Sequence, residues 1–264
     1  MTEINLPKIM SEILNVFANR YKNTDKSVII SIQVLKMAQM LTNKRVKYKE
    51  FEKIDFPNYY TIVFLPSGGG KDRLSNEYDN FIFKQFRDWF KENAEKYYAK
   101  KKQEIHEEYT NSKNKQIKAL IKEAEKSIRC PILEVVDGTQ EGLFEDAKVL
   151  NDAGFGAITY KMSEFGLFLE AAQNSEKQFL SCLYDGYDGK ITSKSIKYGK
   201  REANIENVPI NCLLLSDPSL FSGGNLRYMF NLLMQTGLSR CVISFQKPRN
   251  KEIEYDKEIA FKKE

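Results

Sequence analysis

Three consecutive glycines followed by a lysine, Gly68–Lys71, are the residues of this chain best suited to chemistry. They follow an apolar, strand-like run from Tyr60 to Leu65 and precede a segment with helical character. Glycines let phosphate groups approach the main chain closely, and a lysine reaches the β- and γ-phosphates of a nucleotide. The usual pattern G-x-x-x-x-G-K-[ST] is met in part, because Leu65 replaces its first glycine and Asp72 its Ser/Thr. The loop predicts a phosphate site, and a glycine-rich turn that binds no nucleotide is the alternative.

Glu164 is the second residue with chemical potential, because it follows the apolar run Ala157–Met162. A nucleotide hydrolase needs an acidic residue at the end of a nearby strand, where it supports the magnesium shell or polarises the attacking water. Such strands usually carry Asp one position earlier, where this chain has Ser163. Taken with the glycine loop, Glu164 is predicted to orient the water. The alternative is a surface glutamate at the start of the following helix.

The elements that must position these residues alternate between helix and strand. Apolar residues at helical spacing predict two helices over 8–42 with a break at 23–25, and a charged helical region follows the loop. Later apolar runs predict further strands, among them Ala157–Met162 and Cys241–Phe245. Alternating strands and helices predict an α/β fold with a mostly parallel, helix-flanked sheet. We divide the chain into an N-terminal helical extension over 1–57 and a core over 58–264, with a charged helical insertion at about 79–129.

The composition bounds the class of protein. The chain has 264 residues, of which 42% are hydrophobic and 29% charged, which is typical of a soluble globular protein rather than a disordered one. A net charge of +5 permits a nucleic-acid partner without requiring one. Four scattered cysteines and one histidine argue against a zinc site and against a disulfide framework. No apolar run is long enough to span a membrane, and we expect a cytoplasmic protein with no membrane partner.

In chain order, these motifs resemble the helicase-like P-loop ATPase domain of phage and plasmid replication proteins, which is often fused to a primase-polymerase. The similarity covers about residues 8–246, in the segments NYYTIVFLPSGGGKD, DGTQEGL, GAITYKMSEFGLFL, LYDGYDGKITSKSIKYGK, VPINCLLLSDPSLF and TGLSRCVISF. It implies a RecA-like P-loop NTPase sheet that binds and hydrolyses ATP with Mg²⁺, in the cytoplasm of a bacterial host. It also implies single-stranded DNA as a partner, a homo-oligomeric ring, and a primase or polymerase partner.

The resemblance assigns roles to individual residues. Lys71 would neutralise charge on the β- and γ-phosphates, and Asp72 would lie on the magnesium side or else interact with the helix dipole. Ser216 would sense the γ-phosphate, or is an ordinary strand-end hydroxyl. Arg240 would be the finger or sensor arginine, or is a solvated surface residue. The nucleotide-binding residues implied are Pro66, Ser67, Gly68, Gly69, Gly70, Lys71, Asp72 and Arg73.

Two features are suited to contact DNA. Basic residues separated by serines and an aromatic side chain suit phosphate contact and base stacking in a single-strand channel, and a solvated hairpin is the alternative. The residues concerned are Lys190, Lys194, Lys197, Tyr198, Lys200 and Arg201. The charged helices over 91–126 are typical of a solvated, projecting hairpin, and DNA or subunit contact is the alternative.

These observations predict an ATP-dependent DNA helicase or translocase domain of a phage or mobile-element replication system. Two other functions stay open. One is a nucleotide-binding interaction module that has lost hydrolysis, and the other is a structural or loader protein that keeps only the fold.

Overall fold

The structure is a computed structural model, and it describes residues 7–50, 52–66, 71–110, 117–136, 139–166, 182–191, 205–218, 231 and 240–246. The helices are α1 (Lys8–Arg20), α2 (Lys26–Asn43), α3 (Lys71–Glu77), a π-helix (Tyr78–Ile82), α4 (Lys84–Thr110), α5 (Ile117–Ser127) and α6 (Gln140–Asp152). The strands are β1 (Tyr48–Glu50), β2 (Lys53–Asp55), β3 (Tyr60–Phe64), β4 (Glu134–Val136), β5 (Ile158–Met162), β6 (Lys190–Ile191), β7 (Ile205–Glu206), β8 (Ile210–Ser216) and β9 (Val242–Phe245).

Five strands form the central sheet in the order β4-β5-β8-β3-β9, and every neighbouring pair is parallel. All residues of β3 and β8 are buried, as expected for strands covered by helices on both faces. The mostly parallel, helix-flanked sheet predicted from the sequence is confirmed. Two antiparallel pairs, β1-β2 and β6-β7, lie outside it.

The two faces of the sheet bury different helices because side chains alternate along each strand. Tyr60, Ile62 and Phe64 share one cluster with residues of α4 and α6. Val63 and Leu65 share the other cluster with residues of α1, α2 and α3. The two N-terminal helices, assigned above to an extension over 1–57, therefore form one layer of the helix–sheet core.

A buried ion cluster joins α2 to the π-helix and to the edge strand β4. The Lys36 ammonium is 2% exposed and lies 2.9 Å from Asp79 Oδ2 and 2.5 Å from Glu134 Oε1. Arg87 contacts the same Asp79 oxygen at 2.8 Å. Burial alone would raise the pKa of Glu134, but the charge and hydrogen bond of Lys36 hold it below its usual value. Buried charges are tolerated when they are paired in this way.

The charged insertion is buried near the start of α4 and exposed further along its helices. Phe86, Phe90 and Ala94 of α4 are buried, whereas later in α4 exposed ion pairs such as Lys96–Glu92 predominate. His106 of α4 and Glu125 of α5 approach to 3.0 Å, so the two helices lie side by side as a hairpin. Among the described helices, none is both long enough and apolar enough to cross a membrane.

Candidate nucleotide-binding site

The glycine loop follows β3, an interior strand of the sheet that lies between β8 and β9. β3 ends at Phe64, and the amide of Leu65 donates a hydrogen bond to the carbonyl of Ser216 at 2.9 Å. The helical run of α3 and the π-helix begins at Lys71. Ser67–Gly70 lie outside the described residues, as do the side chains of Lys71 and Asp72. The strand predicted before the loop and the helix predicted after it are thus both present.

The loop joins the sheet at its topological switch point. From β3 the chain proceeds to β4, at one edge of the sheet, whereas from β8 it proceeds to β9, at the other edge. Right-handed crossovers in opposite directions place their connections on opposite faces of the sheet. The switch point therefore lies between the carboxyl ends of the adjacent strands β3 and β8, and open α/β sheets bind their ligands at such points.

Ser216 and Glu164 lie at this same carboxyl edge. Ser216 is the register partner of Phe64, and its buried hydroxyl donates to the Asp217 carbonyl at 3.4 Å. Glu164 is exposed and lies two residues beyond the end of β5, which is separated from β3 by β8 alone. Neighbouring strands lie about 4.8 Å apart, so the ends of β5 and β3 are roughly 10 Å apart.

Asp217 is a candidate residue that the sequence analysis missed. It directly follows β8, is half-buried, and lies beside the strand that leads into the glycine loop. The signal was present, because the apolar run CLLLS ends in Ser-Asp. Only Ser216 was singled out, since the resemblance assigned its role to that position.

Arg73, just after the loop, forms an ion pair with Glu77. Its Nε lies 3.3 Å from Glu77 Oε1, and its guanidinium lies 5.9 Å from the centroid of the Tyr21 ring. Arg20 contacts the other Glu77 oxygen at 2.8 Å. Burial and the neighbouring Glu77 carboxylate raise the pKa of Tyr21 to about 12. Arg73 thus anchors α3 toward α1, and its contact with a nucleotide stays a prediction.

Arg240 lies near the amino ends of the strands, whereas the loop follows the carboxyl end of β3. It precedes β9, whose Val242 pairs with Thr61 near the start of β3, so the length of β3, about 17 Å, separates Arg240 from the loop. Its Nη1 contacts Asp188 at 2.8 Å. Its guanidinium also lies over two rings, 4.9 Å from the Tyr184 centroid and 4.7 Å from the Tyr187 centroid. Any role of Arg240 in the site of a neighbouring subunit stays a prediction.

The basic segment predicted to bind DNA is described only at its first residue. Lys190 is exposed in β6 and is paired in register with Glu206 of β7. Gly189, just before it, lies close to Pro209 at the amino end of β8. The remaining residues of the segment, Lys194, Lys197, Tyr198, Lys200 and Arg201, lie outside the described part of the chain.

The carboxyl edge offers oxygen ligands of the kind that Mg²⁺ uses. Among the described residues, no group of three or more His, Cys, Asp and Glu could hold a metal ion by itself. Mg²⁺ in nucleotide sites is usually held by one or two carboxylates together with the substrate phosphates, so such a group is not required. Glu164 and Asp217 supply carboxylates at this edge. Thr139 is the N-cap of α6 and accepts a hydrogen bond from the Gly142 amide at 3.2 Å.

Comparison of the chain with protein-family models, with curated proteins and with solved structures gives no significant match. Function is therefore inferred from the sequence motifs and the geometry of the site.

Proposed function

We propose that this chain hydrolyses ATP at the glycine loop and acts on single-stranded DNA, as the helicase or translocase domain of a phage or mobile-element replication system. One observation carries the proposal. The segment Ser67–Lys71 joins the interior strand β3 to α3 at the topological switch point of an all-parallel sheet. In open α/β sheets that is the place where ligands bind.

The architecture supports the proposal at the level of fold. A five-stranded parallel sheet flanked by helices is consistent with a RecA-like core. The residues expected to surround the γ-phosphate also converge, because Glu164, Ser216 and the loop all lie at the carboxyl edge.

Individual residues of the chain would have separate roles in ATP hydrolysis. Lys71 would neutralise charge that develops on the β- and γ-phosphates, and Glu164 would orient the attacking water and accept its proton. The Ser216 hydroxyl would contact the γ-phosphate from the neighbouring strand. Bound Mg²⁺ would supply additional positive charge, with Asp72 and Asp217 as the nearest carboxylates in sequence to the loop and to β8.

A nucleotide-binding module without hydrolysis is the second candidate, and the position of Arg240 favours it. Phosphoryl-transfer enzymes often use an arginine to stabilise charge in the transition state. Arg240 is paired with Asp188 at the far edge of the sheet, so a single copy of the chain does not bring this arginine to its own loop.

The test is ATP turnover with and without single-stranded DNA. Lys71→Ala should abolish turnover and the ATP-induced rise in melting temperature, since a ligand stabilises only the state that binds it. Lys91→Ala is the matched control, because Lys91 is an exposed lysine of α4. ATP binding without turnover would favour the second candidate. A folded protein whose melting temperature is unchanged in millimolar ATP would contradict both.

A further inference from the structure

A cleft of about 420 Å³ opens at the amino edge of the sheet, at the opposite end from the glycine loop. Its volume lies within the range of small-ligand pockets. It lies between the end of α2, one face of α4 and the turn before β5. Among the described residues that line it, two are cationic, two are amides, two are aromatic and none is acidic: Lys44, Arg45, Asn43, Asn93, Trp89 and Phe155.

Trp89 and Lys44 form the mouth of the cleft. The Lys44 Nζ lies 3.7 Å from the centroid of the Trp89 ring, and Lys44 is exposed. The indole packs edge-on against Phe155, with the ring centroids 5.7 Å apart, and this contact restricts the orientation of the indole. The exposed Lys44 ammonium lies over one face of a partly exposed indole, and its transfer to a phosphate would free that face for a base.

The floor of the cleft is held rigidly. Arg45 has a φ of +54°, a conformation that non-glycine residues seldom adopt. Its guanidinium donates three hydrogen bonds, to the Gly154 carbonyl at 3.0 Å, the Phe155 carbonyl at 2.8 Å and Asn151 Oδ1 at 3.0 Å. The amide of Val46 donates to the Leu41 carbonyl at 3.0 Å, so the left-handed Arg45 closes α2 in a common helix C-terminal motif, and its side chain joins this end of α2 to the turn before β5.

One polar atom of the wall is unsatisfied. Asn43 is 1% exposed, and its Nδ2 donates to the Gln39 carbonyl at 2.9 Å. Its Oδ1 is buried without a hydrogen-bond partner among the described residues. A buried acceptor of this kind needs a donor, and the amino or imino group of a nucleobase is one.

The basic and aromatic character continues beyond the cleft. Lys47 is exposed and its Nζ lies 4.7 Å from the centroid of the Phe56 ring. Phe56 in turn lies beside Gly189, which precedes Lys190. Cations interleaved with aromatic rings are the features that bind single-stranded nucleic acid with little sequence preference.

We infer that this cleft binds a single-stranded nucleic acid, with one base against Trp89 and the adjoining phosphates on Lys44 and Lys47. The site is separate from the proposed nucleotide site, and it rests on the proposed function in that it names where the single strand would bind. Its ligand is a strand, because the basic residues extend past the cleft along the edge of the sheet.

Trp89 is the single tryptophan of the chain, so its fluorescence reports directly on the cleft. The test titrates the protein, without ATP, with a short deoxythymidine oligonucleotide and with thymidine monophosphate. The oligonucleotide should quench the fluorescence at much lower concentration than the mononucleotide. Equal affinities would overturn the inference in favour of a free nucleotide. Oligonucleotide binding detected by anisotropy of a labelled strand, with no change in tryptophan fluorescence, would overturn it altogether.

Variants distinguish strand binding at the cleft from general electrostatic attraction of the strand to the protein surface. Lys44→Ala should weaken strand binding several-fold and lower the slope of log affinity against log salt by about one. Trp89→Leu should weaken it about tenfold, and Trp89→Phe should restore part of the loss. Lys122→Ala, at an exposed lysine of α5, is the control and should change neither. Equal losses in Lys44→Ala and Lys122→Ala would contradict the inference. The same titration with the Lys71→Ala variant should give unchanged strand binding, so a failure of the cleft site can be told apart from a failure of the proposed ATPase.

Discussion

The amide of Leu65 donates a hydrogen bond of 2.9 Å to the carbonyl of Ser216. This bond continues the ladder in which Phe64 and Ser216 are register partners. It fixes the start of the glycine loop relative to the one buried hydroxyl at the end of β8. A change in the loop on nucleotide binding would therefore act directly on the position of Ser216.

Ser216→Ala tests whether that hydroxyl senses the γ-phosphate. We expect ATP to bind with little change while turnover falls at least tenfold, because the hydroxyl contributes only when the γ-phosphate is transferred. Stability should fall by about 1 kcal/mol or less. Ser244→Ala is the control, since Ser244 is a buried serine of β9 that hydrogen-bonds to Ser31. Equal turnover in both variants would make Ser216 an ordinary strand-end residue.

Glu164→Gln separates ATP binding from hydrolysis. The substitution keeps the shape of the side chain and removes the carboxylate that would accept a proton from water. ATP should still raise the melting temperature, whereas turnover should fall about a hundredfold or more. Glu123→Gln, at an exposed position of α5, should have no effect on either measurement. Unchanged turnover in Glu164→Gln would show that Glu164 is a surface residue.

Lys36→Met tests the buried ion cluster. The variant leaves Asp79 and Glu134 without their shared cation, and we expect the free energy of unfolding to fall by about 3–5 kcal/mol at neutral pH. Arg20→Ala, at an arginine that is 53% exposed, should cost about 1 kcal/mol or less. Urea unfolding followed by circular dichroism measures both.

The same variant should have a characteristic pH dependence. In the native protein the pKa of Glu134 is lowered, so its contribution to stability is present above its usual pKa of 4.5 and is lost as the pH falls. Without Lys36, protonation relieves the buried negative charge. The difference between Lys36→Met and the native protein should therefore shrink as the pH falls toward 4. A difference that is independent of pH would show that packing, rather than charge, explains the loss.

Arg240 is predicted to act across a subunit boundary, because its own loop lies at the far edge of the sheet. Arg240→Ala and Lys71→Ala should each lose turnover, and a mixture of the two should regain part of it where an intact loop meets an intact arginine. Asp188→Ala is a useful companion, since it frees Arg240 from its carboxylate partner. If the two variants co-assemble and the mixture regains no turnover, the role of Arg240 is limited to its ion pair with Asp188.

The sequence predicted the central strands well for a physical reason. Strands buried on both faces, such as β3 and β8, are continuous apolar runs that stand out from charged helices. The common edge of Glu164 and Ser216 was also predictable, because both follow their strands in a parallel sheet. The same rule places Arg240, which precedes its strand, at the other edge, although the resemblance alone drew attention to it.

Contacts between distant residues could not be predicted in this way. Lys36 and Glu134 are far apart in the sequence, and neither has a local pattern that indicates a buried partner. The cleft at Trp89 likewise depends on the turn before β5 meeting the end of α2. Short antiparallel pairs such as β6-β7 carry too few residues to show a period.

The position of β3 has a consequence for how the chain is made. Its two neighbours, β8 and β9, come from residues 210–245, so β3 leaves the ribosome long before either of its partners. At about 5–20 residues per second, the wait for β8 lasts roughly eight to thirty seconds. During that time both edges of an apolar strand are unpaired and open to association with other chains. Nascent chains that stall before β8 should therefore depend on chaperones, and α1 and α2, which are synthesised first, are the natural cover for one face of β3.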